Sequence, residues 1–198
     1  MEVKITGGNL VLKHKLKSNE TYKVVEGTKF KSVTIFKKPQ ITKGMSNQTE
    51  DNRYVLFGDF DGVDKSVVLE DYKWIQAKYN LPPAYLFTTK EGNYHIICLR
   101  KFDARTIYDI LREIRCDSNF KSMLLRNPHR SYVLRLSNKD GSGKPRFLEL
   151  IGKNINLRYT TSSAHKKLLS KLYKKIKHPK YLREDNLTKI NFHTYETS

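Results

Sequence analysis

Tyr54-Val55-Leu56-Phe57-Gly58-Asp59-Phe60-Asp61-Gly62 is an apolar run that stops on two carboxylates and a glycine. Aromatic and branched side chains bounded by Asp-Gly read as a buried strand closing at a turn. Alternation along a strand puts Asp59 and Asp61 on one face at its end. Downstream, Val67 to Tyr79 carries apolar residues at 67, 68, 72, 74, 75 and 79, which predicts a helix stopped by Leu81-Pro82-Pro83. Ala84 to Thr88 and Tyr94 to Leu99 read as strands around a Thr89–Asn93 turn. Asp103 caps a helix running to about Arg115, with Ile107, Ile110, Leu111 and Ile114 on one face. Ser131 to Leu136 and Arg146 to Ile151 are further strands, joined by an Asn138–Lys144 turn. The order β-α-β-β-α-β, plus one strand, predicts an α+β fold of the ferredoxin-like split βαβ kind. In that arrangement the first and third strands are antiparallel neighbours, so His95 is expected beside Asp59.

The flanks differ from this centre. Residues 1–43 mix Val, Ile, Leu and Phe with Lys; short strands are expected at Leu10–Leu12, Tyr22–Val25 and Val33–Phe36. Gly44 to Asn52 shows no apolar periodicity and reads as a loop. Gly152 to Arg183 holds ten Lys or Arg and no Asp or Glu. Leu168, Leu172 and Ile176 recur there every four residues among Lys166, Lys167, Lys171, Lys174, Lys175 and Lys177, which predicts a basic amphipathic helix ended by His178-Pro179. The chain thus reads as three segments: a β-rich N-terminal extension over 1–50 that packs with the core, a core over 51–152 and a basic helical tail over 153–198.

The 198 residues carry 38 Lys and Arg against 20 Asp and Glu, a formal charge of +18. Such an excess favours a polyanionic partner. Residues 1–50 hold ten basic and four acidic side chains, residues 51–150 hold 17 and 13, and residues 151–198 hold 11 and three. A near-balanced centre between basic flanks suits a domain with its own chemistry, held to a polyanion by its ends. No stretch is apolar over the ~18–20 residues that a membrane span needs. The first 30 residues lack a signal-peptide pattern. Two cysteines, Cys98 and Cys116, are too few for a zinc ribbon or a disulfide scaffold. A cytoplasmic, reducing setting is the expectation.

Asp59 and Asp61 repel one another unless a cation lies between them, and Mg²⁺ is commonly held by one or two carboxylates with substrate phosphates. A capped turn is the competing reading. His95 beside them can ligate a metal or bind a phosphate oxygen; alone it reads as a half-buried strand histidine. Asp117, just after the second helix, returns to the same edge of the sheet and can complete the acidic cluster or merely cap the segment from Ser118 onward. Glu149 competes for that role, and Asp64 less well. Arg126, His129, Arg130, Arg135, Lys139 and Lys144 bracket the fourth strand, where arginine forks suit phosphate and solvated surface charge is the alternative.

As a group, Asp59-Phe60-Asp61, Gly92-Asn93-Tyr94-His95, Cys116-Asp117 and the strand Ser131 to Lys139 resemble the archaeo-eukaryotic primase superfamily over about Tyr54 to Gly152. The resemblance implies an RRM-like catalytic core and a template-dependent primase or polymerase active in replication of a small genome or mobile element. It implies that Asp59, Asp61 and Asp117 bind two divalent metals, Mg²⁺ or Mn²⁺. His95 would contact the phosphates of the incoming nucleotide, with Asn93 standing where the family usually has serine. Arg135 and Lys139 would hold the triphosphate, with Arg130 beside them. Nucleoside triphosphates and a single-stranded DNA or RNA template would be the partners, with a helicase or another replication subunit beside them. The site of action would be the host nucleoid or a viral or plasmid replication site. Lys166, Lys167, Lys171, Lys174 and Lys175 would track the template backbone.

Two readings compete. One is a non-catalytic nucleic-acid-binding module on an RRM-like sheet, although the third strand offers only Tyr94 for stacking. The other is a phosphatase, because Asp59-Phe60-Asp61-Gly62-Val63 also resembles the first motif of haloacid-dehalogenase-type hydrolases. That family's late acidic pair and parallel α/β repetition are missing here. The amphipathic helix near 164–177 also has a membrane-surface alternative, which its lack of bulky aromatics beyond Tyr173 disfavours.

Overall fold

The computed structural model describes residues 2–7, 10–15, 20–26, 31–37, 40–126, 131–136, 143–154, 159–179, 183–185 and 190–197. The chain divides into two compact units, Met1–Thr42 with Thr194–Ser198, and Lys43–His193. In the first, β1 (Glu2–Gly7) pairs antiparallel with β2 (Leu10–Lys15), and β3 (Glu20–Glu26) with β4 (Lys31–Lys37).

Among its described residues the second unit is α+β, with a mostly antiparallel sheet and four helices. The elements from Gln40 onward are β5 (Gln40–Thr49), β6 (Tyr54–Phe60), α1 (Lys65–Tyr79), β7 (Ala84–Lys90), β8 (Asn93–Phe102), α2 (Ala104–Glu113), α3 (Ser118–Arg126), β9 (Val133–Arg135), β10 (Arg146–Ile151), β11 (Thr160–Thr161), α4 (Ser163–Leu172), β12 (Arg183–Glu184) and β13 (Ile190–Thr197), of which β5 and β13 each cross the boundary between the units. The sheet runs β10-β7-β8-β6-β5, with β9 against β5 and β11 between β8 and β12. Among the described residues, no helix is long and apolar enough to cross a membrane.

The centre follows from composition. β6 and β8 are apolar and buried over most of their lengths. They pair antiparallel with Gly58 opposite Ile96 and Asp59 opposite His95. Paired residues share a sheet face, so Phe57, Asp59, His95 and Phe87 lie on one side and Gly58, Ile96 and Cys98 on the other. The first side is covered by Tyr132 and His165, which meet Phe57 edge-on, and by Tyr173, 4.9 Å from Phe87. On the second side Cys98 meets Tyr72 of α1. Gly58 is required there by closeness: a Cβ would lie 2.8 Å from buried Ile96. α2 begins as expected, its N-cap Asp103 accepting the Thr106 N–H at 2.8 Å.

Three expectations need correction. Gly44 to Asn52 is not a loop, because β5 runs to Thr49. Its polar residues sit inside because each finds a partner. The Asn47 side chain donates to the Val55 carbonyl (3.3 Å) and accepts the Tyr132 N–H (2.9 Å), tying β5 to two neighbours. A strand stabilised by side-chain hydrogen bonds leaves no apolar alternation to read. Next, the expected strand at Ser131–Leu136 forms at Val133–Arg135 but pairs with β5, not β6, and a helix, α3, precedes it. In a ferredoxin-like sheet that strand would lie beside the first; here β5 takes the place. Finally, the C-terminal helix ends at Leu172, not at Lys177. Tyr173 leaves helical geometry with its ring on Phe87 and the Lys144 ammonium 4.3 Å above it, so packing overrides helix propensity.

α4 is anchored by His165, which is fully buried. Its Nε2 lies 2.8 Å from the Ser46 carbonyl and its Nδ1 2.7 Å from the Ser162 hydroxyl. A carbonyl can only accept, which assigns the Nε2–H tautomer, with the Ser162 hydroxyl donating to Nδ1. Burial pushes this imidazole down to about 4 from 6.5. The native pKa is below the unfolded one, so only the unfolded chain takes a proton in between. Stability is therefore complete above pH 6.5 and falls as pH drops, by about 2 kcal/mol at pH 5. Asp185, next to this helix, is held below the usual aspartate range, and the chain's other histidines are common to the wild type and a His165 variant, so a thermal melt series from pH 7 to 5 run on both reads this histidine. The unfolding midpoint should fall across that range in the wild type and much less in His165→Gln. Equal falls in both would refute the assignment.

Candidate active site

The end of β6 and the β7–β8 hairpin meet at one edge of the sheet. Beyond Phe60 the chain must leave the strand, and Gly62 does so at φ +68°, a conformation costly for other residues. The Val63 N–H then bonds the Gly92 carbonyl at 3.0 Å, so the turn after Asp61 is fixed to the hairpin carrying Asn93 and His95. The end of α2 returns to the same place. There the Asp117 N–H donates to the Asp59 carbonyl at 2.7 Å. The fold thus assembles Asp59, Asp61, Asn93, His95 and Asp117 from three separate stretches of chain.

Their contacts are specific. His95 Nε2 lies 3.2 Å from Asp59 Oδ1, with the histidine side chain 7% exposed and the aspartate 28%. This approach lacks the geometry of a hydrogen bond. Asp59 Oδ1 and His95 Nδ1 therefore both remain buried without a hydrogen-bond partner. Such atoms are expensive to bury and point to a missing ligand. Asp61 Oδ1 accepts from the Asn93 amide, and Asp117 Oδ1 accepts the Phe120 N–H at 2.9 Å, capping α3. The Asp61 carboxyl is held above the usual range, by burial first and then by the negative charges of Asp59 and Asp117; His95 and Lys90 oppose them. That ordering reports three carboxylates close enough to repel. Both thiols are excluded as nucleophiles at neutral pH: burial pushes Cys98 up to about 11 and Cys116 up to about 12.

Asp117, and not Glu149, stands beside Asp59. Glu149 lies on β10 opposite Leu86, separated from β6 by β7 and β8, and pairs with Lys65. Asp64 is the N-cap residue of α1. Arg135 donates from Nη1 to the Gly143 carbonyl at 3.0 Å, and Lys144 from Nζ to the Leu172 carbonyl at 2.7 Å. Arg135 and Lys144 thus flank Tyr173, whose buried hydroxyl lacks a hydrogen-bond partner. Arg126 ends α3. His129, Arg130 and Lys139 lie outside the described residues. On and after α4, Lys167, Lys171, Lys174 and Lys175 are exposed, while Lys166 is half-buried. Lys90 was missed by sequence reasoning. It sits in a charged turn where lysine is unremarkable, and only the fold brings it to Asp61.

Among the described residues, no three His, Cys, Asp or Glu side chains stand in a ready-made metal cage. The donor set nevertheless fits a hard divalent cation: the carboxylates repel one another, and one buried oxygen lacks a partner. Mg²⁺ keeps several waters and takes one or two carboxylates plus substrate phosphates, so a closed protein cage is not its usual site. Comparison with protein-family models, curated proteins and solved structures finds no match for this chain.

Proposed function

We propose that this chain is a template-dependent nucleotidyltransferase of the primase-polymerase kind, built on an RRM-like split βαβ core. The observation that supports it best is the convergence of Asp59, Asp61, Asp117 and His95 at one sheet edge, with Asp59 Oδ1 buried and without a hydrogen bond. Asp59, Asp61 and Asp117 would hold Mg²⁺ or Mn²⁺. When bound, such ions activate the attacking hydroxyl and stabilise the leaving pyrophosphate.

The chain's own residues do the positioning. The hydrogen bond from Asp117 to the Asp59 carbonyl fixes the spacing between two carboxylates that would otherwise drift apart. Asn93 holds Asp61, and His95 is the described side chain that stands against the Asp59 carboxylate. His95 is the group the family resemblance assigns to the nucleotide's phosphates, and Arg135 the described cation it assigns to the triphosphate. The exposed lysines of α4 and the turn after it suit the template backbone, which makes binding strongly salt-dependent. An intracellular replication setting, with a helicase or another replication subunit as partner, belongs to the same proposal.

A second reading draws support from Asp61 and Asp117, each of which already spends an oxygen on a protein donor. On that reading the core binds nucleic acid without catalysis. The phosphatase reading is weaker, because β6 lies between antiparallel neighbours and that family's nucleophile sits in a parallel sheet.

The deciding assay is incorporation of labelled ribo- and deoxynucleotides on single-stranded DNA with Mg²⁺ or Mn²⁺. Product that requires metal and disappears in Asp59→Ala/Asp61→Ala supports the transferase, and product formed without a primer makes it a primase. Template binding with no product under either metal would move the conclusion to the binding module.

A further inference from the structure

A cavity of about 530 Å³ opens where the β7–β8 hairpin meets the start of β10, lined by Lys65, Lys90, Lys144, Arg146, Tyr94 and Thr88 among others. It borders the carboxylate cluster through Lys90, and Asp59, Asp61 and Asp117 are not among its lining residues. Arg146 pairs with Thr88, and Thr88 with Tyr94, so a guanidinium, a hydroxyl and a phenol ring form one row across three strands. Side chains in such a row share a face.

Four cations are gathered here against two carboxylates, Glu91 in the lining and Glu149 on Lys65. Lys144 is engaged with the Leu172 carbonyl and the Tyr173 ring. Lys90 and Arg146 are exposed, and neither side chain makes a hydrogen bond or ion pair to a described residue. A concavity lined mainly by one sign of charge focuses the field and attracts an anion. Arginine and lysine are the usual donors to phosphate; the Thr88 hydroxyl is spent on the Lys90 and Asn93 carbonyls and holds the hairpin instead. An aromatic beside them offers a stacking surface for a base. Lys90 also acts on Asp61, which places the cavity's edge next to the carboxylates.

We infer that this cavity binds a phosphate of a single nucleic-acid strand, held by Lys90 and Arg146 with Tyr94 against the adjoining base. The inference does not depend on nucleotidyl transfer and is testable without it. The full chain would be titrated against a fluorescent thymidine oligonucleotide, by anisotropy, in EDTA and across a salt series. Lys90→Ala/Arg146→Ala should weaken binding about tenfold or more and flatten the logarithmic salt dependence by about 0.7 for each phosphate no longer neutralised. Lys90→Arg/Arg146→Lys should restore both, and an unchanged thermal midpoint would show that the double alanine variant is folded.

A nucleoside triphosphate carries the same phosphate chemistry, so ATP binding is measured in parallel. Unchanged oligonucleotide affinity and salt slope in the double alanine variant would overturn the inference. So would loss of ATP binding with oligonucleotide binding intact, which would make the cavity a nucleotide site. Because metal is absent throughout, a chain with no transferase activity can still pass, and an active one can still fail.

Discussion

Asp117→Asn should reduce metal-dependent nucleotide incorporation as severely as Asp59→Asn, while Glu149→Gln should leave it within about threefold. Loss of a metal ligand exceeds the about 10–100-fold that changes to outer partners cost, so about 100-fold or more is expected from each aspartate. Asparagine preserves the shape and the hydrogen bonds to the protein, including the Phe120 cap on residue 117. The deficit would therefore report charge rather than folding. Sequence reasoning left the third acid open between Asp117 and Glu149. The structure separates them: one is bonded to Asp59 through its N–H, and the other is committed to Lys65 across the sheet. Extension assays on a primed template, with rates normalised to folded protein, give the comparison. Equal loss from Glu149→Gln would contradict the site as described.

The second large effect concerns stability. Lys101 is 5% exposed, and its ammonium meets Asp185 at 2.7 Å and also Asp51. Asp185 in turn accepts the Ser163 N–H and hydroxyl at 2.9 and 2.8 Å, so one buried cation joins β8, the turn after β5 and the start of α4. Both carboxyls are held below the usual carboxylate range, against the opposing effect of burial, chiefly by their hydrogen bonds to Lys101. Removing one partner of such a pair leaves an uncompensated charge behind. Lys101→Met should cost about 3 kcal/mol, less than the full penalty for a buried pair because Asp51 is 43% exposed. Lys101→Met/Asp185→Asn should recover part of that loss. Chemical denaturation of the four proteins in a double-mutant cycle reads the coupling; additive losses would show that the pair is not coupled. The sign with pH follows from the lowered carboxyl values. The contribution is complete above the ordinary aspartate range and is lost as the solution is acidified below it.

How much of this was legible beforehand depends on what each segment uses to stay folded. β6, α1, β7, β8 and α2 are held by apolar burial, which leaves a periodic trace in the sequence, and their order was readable. β5 is held by Asn47 reaching Val55 and Tyr132, and such bonds leave no periodicity. α3 escaped notice because Asn119, Lys121 and Ser122 break up the apolar spacing, and its anchor, Phe120, packs on Tyr132 at 4.9 Å. The Lys101 junction joins residues 51, 101 and 185 and has no local signature. Of the site, the Asp59–Asp61 pair and its neighbour His95 could be derived from strand alternation and the expected strand order. The commitment of Asp117 to the Asp59 backbone could not. Neither could the grouping of Lys90 with Arg146, since strand register alone decides which turn residues become neighbours.

The claim on which the functional account rests is that these carboxylates form a divalent-cation site. Its most direct test is a Mn²⁺ titration of the full chain, following the free-ion signal by electron paramagnetic resonance. The account predicts saturable Mn²⁺ binding that Mg²⁺ competes away and that Asp59→Asn/Asp61→Asn abolishes without lowering the thermal midpoint. Identical binding curves for the wild type and the double variant would contradict it.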